Sequence, residues 1–443
     1  MPNARHFCLA IGPPAGAAAF IGKLISGDPR QAPQVTTAVE WNEKPKPDYC
    51  LNAGVTADGL TALGLPPSII GLFPAAFRAG PAAAAHRLGD VGPAAPENWV
   101  LGGPKNPAVH LVLSLYTDEK RAPRMAPLTA LLRTRFAEAG ITEVYVQDAT
   151  AMPDGTVHFG YKDGIAQPRI AGAPGRMKPD MQPDAQPGEF LLGKDYVNQF
   201  GGNFMGDLPS ALGDNGSYAA LRILKQDVLA FERFLDLAKA RFGLDREYTA
   251  AKLMGRWRNG TPLVLSPETQ TPKPPIPEHR INEFDFCPTD TAPAFFDDRE
   301  GLRCPVGAHI RRLNPRGATV MGKPHSRRII RRGIAYGPPF DPTQPDGKER
   351  GLVGYFICGD LAMQFEFLLK IWANQDLATA GLRGTRDPLL GAQPDIGGQF
   401  VIRTGDHRDP IVFDDLPRLV VTRGSVYVFL PGIGGLRFLA SLA

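Results

Sequence analysis

"YAALRILKQDVLAFERFLDLAKARFG", Tyr218 to Gly243, reads as a strand followed by a helix: a short apolar run, a polar Gln-Asp break, then apolar residues at helical spacing. Val228, Phe231, Phe234, Leu235 and Ala238 fall on one face of that helix. A stretch of the same design, "RHFCLAIGPPAGAAAFIGKLISG" from Arg5 to Gly27, begins roughly 210 residues earlier. Two similar openings imply two similar halves. A chain of 443 residues also exceeds one ordinary core, which fits two domains. Alternating strand candidates follow each opening: "AVHLVLSLYT" and "EVYVQDATAM" in the first half, "GLVGYFICG", "QFVIRTG" and "SVYVFLPG" in the second. Strands and helices mix without a strict βαβ rhythm, so the reading is an α+β fold with antiparallel sheets rather than a doubly wound parallel sheet. Between the halves, "AGAPGRMKPDMQPDAQPGEF" (Ala171 to Phe190) is dense in Pro and Gly and reads as a linker. The two domains are therefore expected at 1–205 and 206–443.

Composition narrows the function classes. Hydrophobic residues make up 43% and charged residues 21%, the balance of a soluble globular chain. The 49 glycines and 44 prolines predict many turns and long ordered loops. A net charge of +4 is too small to imply nucleic acid or an anionic membrane as partner. Cys8, Cys50, Cys287, Cys304 and Cys358 are odd in number and include no C-x-x-C pair, which argues against a zinc site or a disulfide framework. The N-terminus shows neither a signal peptide nor a twin-arginine start, and no run of about 18 apolar residues occurs. A cytoplasmic location without a membrane partner is the expectation.

The segment Gly301 to Gly337 holds nine basic residues, Arg303, Arg311, Arg312, Arg316, Lys323, Arg327, Arg328, Arg331 and Arg332, and no Asp or Glu. Such a run must face solvent, a bound anion, or carboxylates from elsewhere in the fold. Single-strand nucleic-acid binders interleave aromatic residues for stacking, and here Tyr336 is the only one. His309 lies inside the run, after the small residues Gly307 and Ala308. No H-E-x-x-H or comparable pair exists, so any bound metal suits one axial imidazole, the way haem iron is often held. The two haem propionates would also supply the anion that the arginines lack.

"HFGYKDGIAQPRI", His158 to Ile170, places Asp163 in a turn bracketed by Gly160 and Gly164. By itself that is a turn with a solvated Asp. In order along the chain, however, "GYKDG", "CPVGAHIRRLNPR" and "RIIRRGIAYG" resemble the dye-decolourising peroxidase family. Further matches include "NAGVTADGLTALGLP", "GEFLLG", "AAKLMGRWRNGTPL", "QFEFLLKIWAN", "DPLLG" and "VYVFLPG". The long insertions of the second half look like the branch shared by fungal and many bacterial members.

The resemblance implies two ferredoxin-like halves of the dimeric α+β barrel type, with haem b in the C-terminal half. It puts the proximal iron ligand at His309, the distal acid at Asp163 and the distal arginine at Arg331, with Arg332 as the alternative register. Arg311 and Arg312 become propionate partners, and Asp387, with Asp395 as rival, the carboxylate behind the proximal imidazole. Leu352 and Phe356 are assigned to the distal apolar wall, where Gly354 departs from the family's Phe. The implied activity is hydrogen-peroxide-dependent oxidation of dyes, phenols and similar bulky reductants. Tyr336, then Trp372, are the candidate outlets for electrons from reductants too large to enter. A haem carrier or iron-release protein is the alternative, since it would keep His309 and the arginines without needing Asp163.

Overall fold

β1 (Asn3–Ile11), β2 (Tyr49–Val55), β3 (Leu111–Thr117) and β4 (Ile141–Thr150) form one antiparallel half in the order β4-β1-β3-β2. The second half repeats that order with β5 (Ser217–Gln226), β6 (Ile330–Tyr336), β7 (Gly351–Cys358) and, after a small sheet of β8 (Gly398–Ile402) and β9 (Ile411–Leu416), β10 (Val420–Leu430). Its order is β10-β5-β7-β6, so each half carries its first and third strands in the centre, the ferredoxin-like arrangement. The computed structural model describes all residues except 29–32, 38–45, 174–180, 195, 197–203, 288–296, 319–323, 378–381, 396, 406–408 and 443. Lys323 and part of the expected linker lie outside the described residues.

A single pairing, Phe429 with Val55, joins β10 to β2 and makes the two halves one eight-stranded sheet. The end strands β4 and β6 share no hydrogen-bonded ladder, so the barrel is not closed. The halves instead stack face to face. Cys8 and Val112 from the first half meet Leu221, Val353, Tyr355 and Val428 from the second in one buried cluster. Side chains alternate across a strand, so the opposite faces are left for helices.

Both opening stretches fold as read. The helix Pro14–Ser26 follows β1 and buries Ala17, Phe20, Ile21 and Leu24. The helix Val228–Phe242 follows β5; Asp227 caps it by accepting the Ala230 N–H at 2.9 Å. It buries all five residues of the expected face, Val228, Phe231, Phe234, Leu235 and Ala238, each large one stabilising the fold by roughly 1.5–3 kcal/mol. The C-terminal helix Ile433–Ala440 sends Leu436 and Leu439 into the same core as Phe20 and Ile21, so the end of the chain completes the first half.

β2, β6 and β9 were not legible as strands. In β6 the sequence Arg331-Arg332-Gly333 masks any apolar alternation. The apolar stretch after β7 runs as two π-helical segments, Leu361–Glu366 and Leu368–Ala373. No described helix is long and apolar enough to cross a membrane.

Candidate active site

The hairpin around Asp163 is built by the first half of the chain but fastened to the second. Val157 N–H donates to the Tyr161 carbonyl at 2.9 Å, and Gly160 N–H donates to Val157 at 2.7 Å. Gly160 and Gly164 turn the chain at φ +86° and +70°, values that side-chain-bearing residues rarely adopt. Three anchors then reach the C-terminal half. His158 Nε2–H donates to the Tyr336 carbonyl at 2.8 Å, the Tyr161 hydroxyl donates to the Ala250 carbonyl at 2.6 Å, and Lys162 N–H donates to the Arg258 carbonyl at 2.8 Å.

The same loop is clamped to β6. Gln167 accepts the Arg331 N–H at 3.1 Å and donates to the Arg331 carbonyl at 2.9 Å, while the Arg331 guanidinium donates to the Ala166 carbonyl at 2.8 Å. Asp163 borders the resulting cavity. A Cβ on Gly333 would sit 3.9 Å from Asp163 Oδ2, so the carboxylate lies against β6 where that strand has no side chain. Among the described residues it has no hydrogen-bond or ion-pair partner.

Strand register separates the two candidate arginines. Arg331 pairs with Phe356, Gly333 with Gly354 and Ala335 with Leu352, so these six share one face of the ladder, and all but Ala335 line the cavity. Arg332 pairs with Tyr355; both also border the cavity, but strand alternation puts their side chains on the opposite face of the ladder, and Arg332 is exposed and donates to the Arg331 carbonyl at 3.1 Å.

His309 opens the short helix His309–Leu313 on another wall. Its Nδ1 lies 3.0 and 3.1 Å from the two oxygens of Asp387. Asp387 is fully buried and also accepts the Leu389 and Leu390 N–H groups at 3.0 and 2.8 Å. Burial pushes its carboxyl up, but the His309 ring and the Leu390 N–H outweigh burial and hold it below the usual carboxylate range. Asp395, the rival, is exposed. The Nδ1 bond leaves His309 Nε2 as the ring nitrogen without a partner among the described residues.

The cavity these groups share has a volume of about 310 Å³, within the ~300–1,000 Å³ range of cofactor and ligand sites. Leu352, Phe356, Leu368 and Leu389 give it apolar walls. Arg327 supplies a cation there: its guanidinium lies 3.7 Å over the Phe367 ring, donates to the Met363 carbonyl, and has no carboxylate partner among the described residues. Its buried Nε is unsatisfied. One free imidazole nitrogen, apolar walls and a wall cation without a counter-ion fit a planar, anionic metal macrocycle.

No family model matches the chain. Curated relatives do. It is 29% identical to the dye-decolorizing peroxidase of Mycena epipterygia, over 96% of this chain and 82% of that protein. It is 30% identical to the enzyme of the same name from Exidia glandulosa, over 91% and 78%, and 30% identical to the multifunctional dye peroxidase of an Amycolatopsis species, over 88% and 82%. The chain belongs to the dye-decolourising peroxidase family. It is thus an oxidoreductase of the peroxidase class. Solved structures of family members superpose over 99% of this chain and 96% of theirs: one in complex with 2,6-dimethoxyphenol (TM-score 0.80, 24% identity) and one whose heme pocket was engineered for asymmetric sulfoxidation (TM-score 0.79, 26% identity).

Against the pattern expected of a dye-decolourising peroxidase, Arg311 and Arg312 need correction. Neither borders the cavity. Arg311, 2% exposed, pairs with Asp298 at 3.1 Å, donates to the Cys304 carbonyl at 2.8 Å and stacks 4.7 Å over Phe286. Arg312, fully buried, donates to the Trp372, Gln375 and Thr385 carbonyls and to Thr385 Oγ1. The helical turn points both guanidinium groups into the protein. There they fasten the His309 helix on one side to the Asp298 loop and on the other to the loop carrying Asp387.

The outlet candidates also sit elsewhere than expected. Tyr336 ends β6 on the inter-sheet face, where its ring is buried and its hydroxyl donates to Glu349 Oε1 at 3.1 Å. Trp372 is buried edge-on against Phe367, 5.7 Å between ring centroids, and its indole N–H is unsatisfied. Neither borders the cavity or presents its ring to solvent. Leu352 and Phe356 do line the cavity. A Cβ on Gly354 would lie 3.1 Å from the Phe356 ring, so Phe356 folds over the position where the family's Phe is missing. Gln167 and Arg327 went unassigned from the sequence, since only tertiary contact distinguishes either from an ordinary loop Gln or surface Arg.

Proposed function

We infer that the protein is a haem b peroxidase that uses hydrogen peroxide to oxidise phenols, dyes and similar aromatic reductants. The observation that carries this reading is the two-sided cavity, with a carboxylate-backed imidazole on one wall and an unpartnered carboxylate next to an arginine on another. Relatives named dye peroxidases and a family structure holding 2,6-dimethoxyphenol support the substrate class. No cysteine borders the cavity among the described residues, which favours a non-covalently held haem.

His309 Nε2 is the nitrogen available to the iron, and Asp387 keeps it so by taking the Nδ1–H. A carboxylate behind the ring also makes the imidazole a stronger donor. Arg327 is the cation best placed to meet a propionate. When bound, haem supplies an iron that accepts a peroxide oxygen and passes oxidising equivalents to donors.

Asp163 then removes a proton from one peroxide oxygen and delivers it to the other, directly or through one water. Its lone pairs are available because no group among the described residues occupies them. Arg331, held by Gln167 and Ala166, presents a fixed positive charge to the leaving oxygen and stabilises the charge that develops there.

Stopped-flow mixing of the haem-loaded protein with peroxide and 2,6-dimethoxyphenol tests this reading. Asp163→Asn is expected to slow the peroxide step by roughly 10²–10⁴-fold while haem binding, read from the Soret band, is kept. A variant as fast as wild type would rule out the acid–base role, and a wild-type protein that binds haem but does not react with peroxide would favour the haem carrier.

A further inference from the structure

Two tyrosines border the cavity, Tyr161 and Tyr355, and their phenols meet different acceptors. Tyr161 donates to the Ala250 carbonyl, an oxygen too weakly basic to keep a proton. The Tyr355 hydroxyl lies 2.8 Å from Ser114 Oγ, which lies 2.8 Å from Nδ1 of His6. The chain thus runs from β7 through β3 to β1, across the interface of the two halves. Tyr355, Ser114 and His6 are 6%, 1% and 2% exposed. The His6 and Tyr355 ring centroids are 5.7 Å apart.

Tyr355 stands directly behind the cavity wall. Its neighbours Gly354 and Phe356 face the cavity, so strand alternation turns its own ring into the inter-sheet core. Gly354 adds no side chain to the wall here, and the Phe356 ring lies over its place. Removing an electron from a phenol makes its O–H strongly acidic, and a buried radical cation is costly unless the proton can leave. The hydrogen-bonded base is what separates Tyr355 from Tyr161. Burial pulls the His6 imidazole down to about 4, against an opposing pull from Asp148, so at neutral pH the ring carries no charge and one nitrogen can accept.

We propose that Tyr355 is a one-electron donor behind the cavity wall and that Ser114 and His6 form the relay that takes its proton. The proposal rests on the peroxidase reading, which supplies the one-electron oxidant formed in the cavity from hydrogen peroxide. One electron passes from the Tyr355 ring to that oxidant, reducing it and leaving a phenoxyl radical. The Tyr355 O–H bond breaks as an O–H bond forms at Ser114. Ser114's own O–H bond breaks as an N–H bond forms at His6 Nδ1, so the products are the neutral radical and an imidazolium. Both transfers span ordinary hydrogen-bond distances. When an external donor returns the electron, the buried imidazolium returns the proton along the same path. Tyr355 thereby holds one oxidising equivalent away from the peroxide site until a bulky donor arrives.

Rapid-freeze electron paramagnetic resonance of the haem-loaded protein, mixed with one equivalent of peroxide and no donor, tests the proposal. A tyrosyl signal is expected that is lost in Tyr355→Phe and kept in Tyr336→Phe. In Ser114→Ala the signal is expected to shift to that of a phenoxyl without a hydrogen bond. Nitrogen-15 NMR of the histidines in the haem-free protein gives a readout independent of turnover, with His6 expected as the Nε2–H tautomer and Nδ1 unprotonated. Loss of the signal in Tyr336→Phe in place of Tyr355→Phe would overturn the proposal, as would a His6 ring protonated on Nδ1. A protein that changes its optical spectrum with peroxide but gives no tyrosyl signal loses this proposal and keeps the peroxidase reading. One inert to peroxide loses both.

Discussion

The two working walls of the cavity are fastened by opposite means. At His309 the side chain itself is tied: Asp387 grips the ring, Leu389 and Leu390 grip Asp387, and Arg311 and Arg312 hold the helix from either side. At Asp163 only the backbone is tied. The Asp163 N–H donates to the Gly155 carbonyl at 2.9 Å, its neighbour Lys162 is bound to Arg258, and Gln167 clamps the loop to β6, yet the carboxylate has no partner among the described residues. A side chain whose hydrogen bonds are made by protein is held in one pose. One whose backbone is rigid and whose oxygens are unengaged can exchange a proton with substrate without moving.

The strongest way to break this contrast is at the tied wall. His309→Ala is expected to abolish haem binding, seen as loss of the Soret band on titrating the protein with haem. At the open wall, Arg331→Ala is expected to lower the rate constant for reaction with peroxide by roughly 10²–10³-fold, about 2.7–4 kcal/mol of transition-state stabilisation, with the Soret band retained. Equal loss of haem and of rate would mean that the walls do not have separate jobs.

A buried ring outside both walls calibrates what burial alone does. His6 titrates at about 4 when folded and near 6.5 when unfolded. Between those values the unfolded chain binds the extra proton, so stability falls as pH falls, by ~3 kcal/mol over the whole interval. Urea unfolding of the haem-free protein at pH 7, 5.5 and 4.5 should show that loss, and His6→Phe should show a slope shallower by up to one proton. An unchanged slope in the variant would mean that His6 is not held neutral by burial.

The smallest effect returns to the tied wall. Asp387→Asn keeps a polar group behind the ring but removes its charge, and a change of this kind typically costs about 10–100-fold in affinity, roughly 1.4–2.7 kcal/mol. Competition for haem between wild type and variant measures it. An effect as large as that of His309→Ala would show that Asp387 holds the wall together and does more than orient the ring.

Much of this was legible from local patterns. The helix after β5 was readable because its apolar face repeats within a few residues of itself, and all five predicted positions are buried. Asp163 and His309 were readable as motif positions, and the cavity brings the two together. The arginines were less legible. Nine basic residues in one segment look alike in one dimension, and their roles depend on partners far along the chain. Arg312 meets Thr385, Arg328 meets Glu189, and Arg327 alone of these three lacks a carboxylate or loop clamp beyond one carbonyl. The π-helical turn at Leu361–Ala373 likewise leaves no mark in the apolar pattern.

By itself the sequence determined that this chain has two halves of one design, an α+β fold, and a candidate acid and a candidate ligand far apart in the chain. Periodicity and turn chemistry act over short separations, so the residues that express them can be read where they stand. Only the tertiary structure decided which arginine faces the cavity, which carboxylate backs His309, and that Arg311 and Arg312 brace a helix. Each of those outcomes depends on pleat register or on contacts spanning many residues, and a one-residue shift in register exchanges Arg331 for Arg332.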